Sequence, residues 1–262
     1  MKPPRGPSAM QWQGDEHNAI HLGYSRDSFH FHRPSPVEGA GPTPLNTSAD
    51  SGRLQSSVSA EWRTPFIDEH ERPGDVGWTY GNVQSVGGGF VVLQDELRFF
   101  FSARSGTSDL NCTTGVATLR RDGFASVHPS SGLSSGWMLT RPMRYLPDNP
   151  PWDPLGLWLN VDASASGASV TIKLLKLGES VAHSAPILNT NATKTPVKWL
   201  DGDAMGAISG GAPFQLKFYL DGPAQLFSFW VSSDECGTSG GFMAAGGPGF
   251  AMGRDCVCSA EA

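Results

Sequence analysis

Apolar residues recur at every second position through the C-terminal half of the chain. Leu157, Leu159 and Val161 alternate, Ser164-Ala165-Ser166-Gly167 interrupts, and Val170, Ile172 and Leu174 alternate again. Phe214 to Leu220 and Gln225 to Val231 flank Asp221-Gly222-Pro223, and Val197 with Trp199 marks one more apolar pair. A period of two over such lengths predicts half-buried antiparallel strands, and Asp-Gly-Pro between two of them predicts a hairpin. The set predicts a β-sandwich over residues 146–233, with a Gly-, Ser- and Ala-rich tail over 234–262.

The N-terminal half is less regular. Residues 1–17 are rich in Pro, Gly and polar side chains and are expected to be disordered. Residues 18–33 predict two strands around Arg26-Asp27-Ser28, with Phe29 and Phe31 on one face and His30 and His32 on the other. Residues 34–60 read as a long loop. From Trp78 the pattern predicts four successive strands. They are Trp78 to Val86, broken by Gly87-Gly88-Gly89, then Phe90 to Leu93, Leu97 to Phe101 and Gly115 to Leu119. Two stretches, Tyr24-Ser25-Arg26-Asp27-Ser28-Phe29 and Leu119-Arg120-Arg121-Asp122-Gly123-Phe124, share an Arg-Asp-small-Phe turn after an apolar segment. Read as a repeat, they predict blade-like units with Phe29 and Phe124 buried beside the turns, and about two such blades cannot close a ring. The expected class is therefore all-β, a partial β-propeller over 18–145 followed by the sandwich. The Pro-rich connector Tyr145-Leu146-Pro147-Asp148-Asn149-Pro150-Pro151 divides the two.

Composition agrees with this class. The 262 residues include 32 Gly and 20 Pro, and only 17% are charged, which disfavours helix. A net charge of −6 without a Lys or Arg run argues against nucleic acid as a partner. No apolar stretch nears the ~20 residues that span a bilayer, and no hydrophobic segment of a signal peptide follows Met1. Three glycosylation-type triplets, at Asn46, Asn111 and Asn191, lean toward a secretory or extracellular route. The four cysteines form no Cys-x-x-Cys pair, so no structural zinc site is expected, and no motif in the sequence points to a cofactor.

The segment Tyr24 to Pro34, Gly81-Asn82-Val83-Gln84-Ser85-Val86-Gly87-Gly88-Gly89 and Gly115 to Phe124 together resemble parts of the five-bladed-propeller glycoside hydrolases. The closest likeness is to the family 32-type, β-fructosidase-like proteins, in which a β-sandwich follows the propeller. The resemblance covers residues 18–232 apart from the loop at 35–60, and the same turn is similar to that of sialidase-like propellers. It implies hydrolysis or binding of glycosidic, fructoside-like carbohydrate. The family's set of catalytic carboxylate motifs (Asn-Asp-Pro nucleophile, Arg-Asp-Pro triplet, Glu-Cys acid/base) is not assembled along this chain. What remains resembles the last two blades and the sandwich, so a fragment or a non-catalytic carbohydrate-binding or structural module is expected, without glycoside turnover of its own.

Within that resemblance the first strand of a blade lines a central funnel. Trp78, Tyr80, Asn82 and Gln84 are then the candidate substrate-binding residues, aromatic faces suiting sugar C–H groups and amides suiting hydroxyls. Asp75, leading into this strand, is the catalytic candidate. His30 with His32, and His17 with His21, have spacings that suit a metal but lack a third ligand. No Gly-x-Ser-x-Gly elbow points to Ser-His-Asp chemistry.

Overall fold

A computed structural model describes residues 20–25, 28–33, 43–44, 66–67, 82–93, 95–104, 112–130, 132–145 and 154–239. These residues are mostly β-strand in antiparallel sheets, as the period of two requires. Among them, helix is confined to one turn, α1 (Ala204–Ile208), and the 3-10 turn Ser209–Gly211 that follows it. Asp203 caps α1, its Oδ1 accepting from Gly206 N at 2.8 Å.

The chain divides into two compact units, Met1–Phe90 with Phe99–Ala117, and Val91–Arg98 with Thr118–Ala262. The first holds a small sheet of β1 (Tyr24–Ser25), β2 (Phe31–Arg33) and β3 (Thr43–Pro44), in that order. It also holds most of a second sheet, β4 (Asn82–Val92), β5 (Glu96–Arg104) and β6 (Cys112–Arg120), again in sequence order. Val83, Phe101 and Ala103 form the buried centre there, with Ile20, Ile67 and Ala117 packed against them. Ile20 and Ile67 pair through an antiparallel bridge, and Phe99 meets Phe66 edge-on at 5.6 Å.

Two expectations change in this region. Gly87-Gly88-Gly89 does not break the chain: β4 runs through it as one eleven-residue strand, so three strands stand where four were expected. Gly89 takes a φ of +111°, open to glycine, which absorbs the irregularity without ending the pairing. The two Arg-Asp turns are also not equivalent. Arg26 and Asp27 lie outside the described residues, but the left-handed position falls on Ser28 in the first stretch and on Asp122 in the second, one place earlier in the alignment. Phe29 is 85% exposed rather than buried, whereas Phe124 is half-buried. The first turn joins the antiparallel pair β1–β2, while the second leads out of its sheet to a bridge between Val127 and Leu226. A shared tetrapeptide sets a local turn, and the flanking strands decide what it connects.

The second unit contains β7 (Ser135–Leu139), β8 (Gly156–Ala163), β9 (Ser169–Lys176), β10 (Glu179–Ser184), β11 (Thr190–Pro196), β12 (Trp199–Asp201), β13 (Gln215–Asp221) and β14 (Gln225–Ser232). They form a five-stranded sheet, β12-β10-β9-β13-β7, and a three-stranded sheet, β11-β8-β14. Leu157, Leu159 and Val161 from the smaller sheet share one hydrophobic core with Val170, Ile172, Leu174, Leu216, Phe218 and Leu220 from the larger. The Asp221-Gly222-Pro223 segment is not a hairpin, because β13 pairs with β9 and β7 whereas β14 pairs with β8. The same holds for β8 and β9. Alternation fixes which face of a strand is buried, and a strand across the core satisfies it as well as a neighbour in the sheet. β7 lies ahead of the Pro-rich connector yet joins the larger sheet, so the compact units do not divide at residue 145.

A tight hairpin does join β9 to β10. Lys176 pairs with Glu179 around Leu177 and Gly178, whose φ values are +52° and +87°. Both central residues at positive φ make the type I′ geometry, for which Asn-Gly is the favoured pair. Leu177 is 98% exposed and gains nothing from packing. We expect Leu177→Asn to stabilise the protein by about 1 kcal/mol, the scale of a left-handed penalty relieved. A thermal midpoint that is unchanged or lower in the variant would contradict this reading of the turn.

Candidate functional site

Of the residues expected to bind substrate, Asp75, Trp78 and Tyr80 lie outside the described residues. Asn82 and Gln84 sit on β4 on either side of Val83, which is buried. His30 is exposed beside β2, and among the described residues no group of three or more His, Cys, Asp or Glu side chains is placed to hold a metal. One Glu-Cys pair occurs, Glu235-Cys236, but Cys236 is in a disulfide and Glu235 is exposed in the turn after β14. That turn is held by Asp234, whose Oδ1 accepts from Cys236 N at 2.9 Å and Thr238 N at 3.0 Å. Desolvation pushes the Asp234 carboxyl up, but the bonds from Thr238, Ser232 and Cys236 outweigh it and hold it below its ordinary value.

The second Arg-Asp turn has a structural task. Asn160, on β8, is fully buried although its neighbours Leu159 and Val161 already face the core. Its Oδ1 accepts from Arg120 Nε at 2.6 Å and its Nδ2 donates to the Arg121 carbonyl at 2.6 Å. Arg120 also donates to Asn191 Oδ1 and, at 3.0 Å, to the Val161 carbonyl. Both neighbouring strands bulge at this level: β14 skips Phe227 between Leu226 and Ser228, and β11 shifts register between Ala192 and Thr195. The unpaired Phe227 puts its ring 4.7 Å from the Arg120 guanidinium, and Thr193 donates to Asp95 at 2.5 Å. Burial lowers the Arg120 pKa, while Asp162 and then Asp95 pull it back up. The fork of donors is used to close the sheet, not to meet a ligand.

Asp122 follows Arg121 in the same turn at φ +54°. Its carboxyl is raised above the ordinary 3.8 by desolvation, with Ser228 and Arg121 pulling it partly back. Asp162 is held low by the Ser164 hydroxyl and amide, whose contacts measure 2.7 and 3.0 Å.

A different surface has the chemistry of a binding site. On the five-stranded sheet the residues opposite the core face outward, and strand register sets them in rows. Trp137, Tyr219 and Thr171 make one row across β7, β13 and β9; Leu139, Lys217, Lys173, His183 and Asp201 make the next. Trp137 is 64% exposed. Lys217 Nζ lies 4.3 Å from the Trp137 ring and 5.1 Å from Tyr219, and Lys173 Nζ lies 5.4 Å from Tyr219. An indole and a phenol on neighbouring strands of one sheet bring apolar rings and ammonium groups together on a single outward surface. Trp137 carries no signal of its own in the sequence. Only the register of β7 against β13 places it outward, and that pairing bridges more than 70 residues of chain.

At the far end of the second row, Ser180 Oγ lies 3.2 Å from His183 Nε2, and His183 Nδ1 lies 3.1 Å from Asp201 Oδ2. The order matches a Ser-His-Asp relay. However, the His183 and Asp201 side chains are 42% and 60% exposed, so water competes at each contact. Asp201 Oδ1 also accepts from the His183 amide at 2.6 Å, which makes it a clamp on the irregular β10–β12 edge. A shallow hollow of about 370 Å³ lined by His128, Ser130, Leu133, Pro223 and Gln225 has no Trp, Tyr or Phe in its lining. Compared with known family models, curated proteins and solved structures, the chain matches none.

Two variants separate the buried turn from its exposed surroundings. Asn160→Ala orphans buried partners and should cost about 3 kcal/mol in urea denaturation, against under ~1 kcal/mol for exposed Asn191→Ala. Equal losses would show that burial does not set the cost. Asp122→Asn tests the raised carboxyl. A pKa raised by folding gives stability that is full below 3.8 and is lost as pH rises through the folded-state value. Asn cannot ionise and tolerates positive φ, so the variant should be more stable than the parent at pH 7, with the difference vanishing in acid. A gain that is the same at pH 3 and pH 7 would refute the titration.

Proposed function

We propose that this chain is a non-catalytic, carbohydrate-binding β protein related to the family 32-type glycoside hydrolases. In this reading the two sheets of the second unit pack as a β-sandwich, and β4–β5–β6 is the remnant of a propeller blade. One observation carries the functional part: the exposed Trp137 with Tyr219 as its cross-strand partner. Aromatic side chains this large are normally covered, and a paired sheet fixes the backbone that carries them, which lowers the ordering cost on binding. Sugar rings present C–H faces to such rings and hydroxyls to the neighbouring polar side chains, here Thr171 beside Tyr219 and the Lys173 ammonium over its ring. The absence of an Asn-Asp-Pro or Arg-Asp-Pro motif, with the one Glu-Cys pair tied into a disulfide-held turn, fits binding without turnover.

The test is retention of the purified chain on a panel of immobilised polysaccharides, inulin and dextran included. Trp137→Ala should weaken retention at least tenfold, with urea stability within about 0.5 kcal/mol of the parent, as for an exposed residue. No retention on any polysaccharide, or retention untouched by the substitution, would overturn the proposal.

A further inference from the structure

We infer that the glycan recognised at the Trp137–Tyr219 platform carries anionic groups, carboxylate or sulfate. This rests on the carbohydrate reading and narrows it. Lys217 and Lys173 are direct cross-strand partners on the same outward face, each with its ammonium within 5.4 Å of the Tyr219 ring. Like charges placed opposite each other on a sheet destabilise it. Among the described residues no carboxylate lies within ion-pair distance of either ammonium. The nearest acid along β13, Asp221, is engaged by Ser169 Oγ at 2.9 Å. Cation–π contact with the rings returns only about 0.5–1 kcal/mol at an exposed site, so the pair is left undercompensated. An anion lying over Tyr219 would meet both ammoniums and remove the repulsion between them.

The chain's net charge of −6 opposes a polyanion at long range. Screening confines that opposition: the Debye length is about 8 Å at physiological salt, whereas the two ammoniums would act at contact distance. The local pair therefore decides the preference, and added salt should erode it.

The experiment titrates the full chain with polygalacturonate, dextran sulfate and unsubstituted dextran at low and at 0.5 M added salt. Expected are at least tenfold tighter binding of a charged polymer than of dextran, loss of that preference at high salt, and its collapse toward unity in Lys173→Gln/Lys217→Gln. Lys198→Gln, an exposed lysine in the link between β11 and β12 and in neither row, serves as the charge control and should keep the preference. Tight binding of only one charged polymer would identify the anion as carboxylate or sulfate. Dextran bound as well as either polyanion, or a preference that survives the double substitution, overturns the inference and leaves the carbohydrate reading standing. Binding of none of the three overturns the inference, and the carbohydrate reading falls with it when inulin is not retained either.

Discussion

A buried amide on the central strand of the three-stranded sheet sets the terms for much of the second unit. Asn160 sits where water does not reach, on the one strand that both others in its sheet pair with. Leaving either its acceptor or its donor unmade would forfeit about 1–3 kcal/mol. The chain meets that demand by laying the Arg120–Arg121 turn over the sheet, one side chain and one carbonyl answering the amide. The bulges in β11 and β14 at the same level bring Asn191, Thr193 and Phe227 into the arrangement. Sheet irregularity here is the means by which a polar group is buried with partners.

The two sheets then divide the work. The smaller one has its outer side occupied by the Arg120 turn, while the larger leaves a row of aromatic and charged side chains open. Both inner faces feed a single core. The open face is therefore presented by strands that cannot shift without disturbing Phe218, Leu216 and Leu220 behind it, which is the rigidity that a binding platform needs.

Strand identity in the C-terminal half was legible in the sequence, because Leu157, Leu159 and Val161 or Val170, Ile172 and Leu174 allow only one periodicity. Strand partnership was not. Asp221-Gly222-Pro223 has the chemistry of a hairpin turn, yet it carries the chain across the core. β10 and β11 escaped notice because Ser180, His183 and the Thr-Asn-Ala-Thr run break the apolar alternation with side chains used for hydrogen bonds. The Gly triplet misled in the opposite direction, since glycine permits an interruption without imposing one. For the site, Trp78 and Trp137 are indistinguishable as letters. Exposure is a property of register, and register depends on pairings between distant parts of the chain.

The crossing of β8 to β9 and of β13 to β14 has a consequence for how the chain reaches this state. In the larger sheet, β7 must find β13 and β13 must find β9 across long stretches of intervening sequence, so loop-closure entropy is spent before those contacts give anything back. The exception is β9–β10, closed by two residues. Within the larger sheet that ribbon is where ladder formation costs least chain entropy, which makes it the natural seed onto which β13 and then β7 add. Its turn is built from Leu177 in a left-handed conformation, so the step best suited to start assembly is also the one whose sequence holds it back.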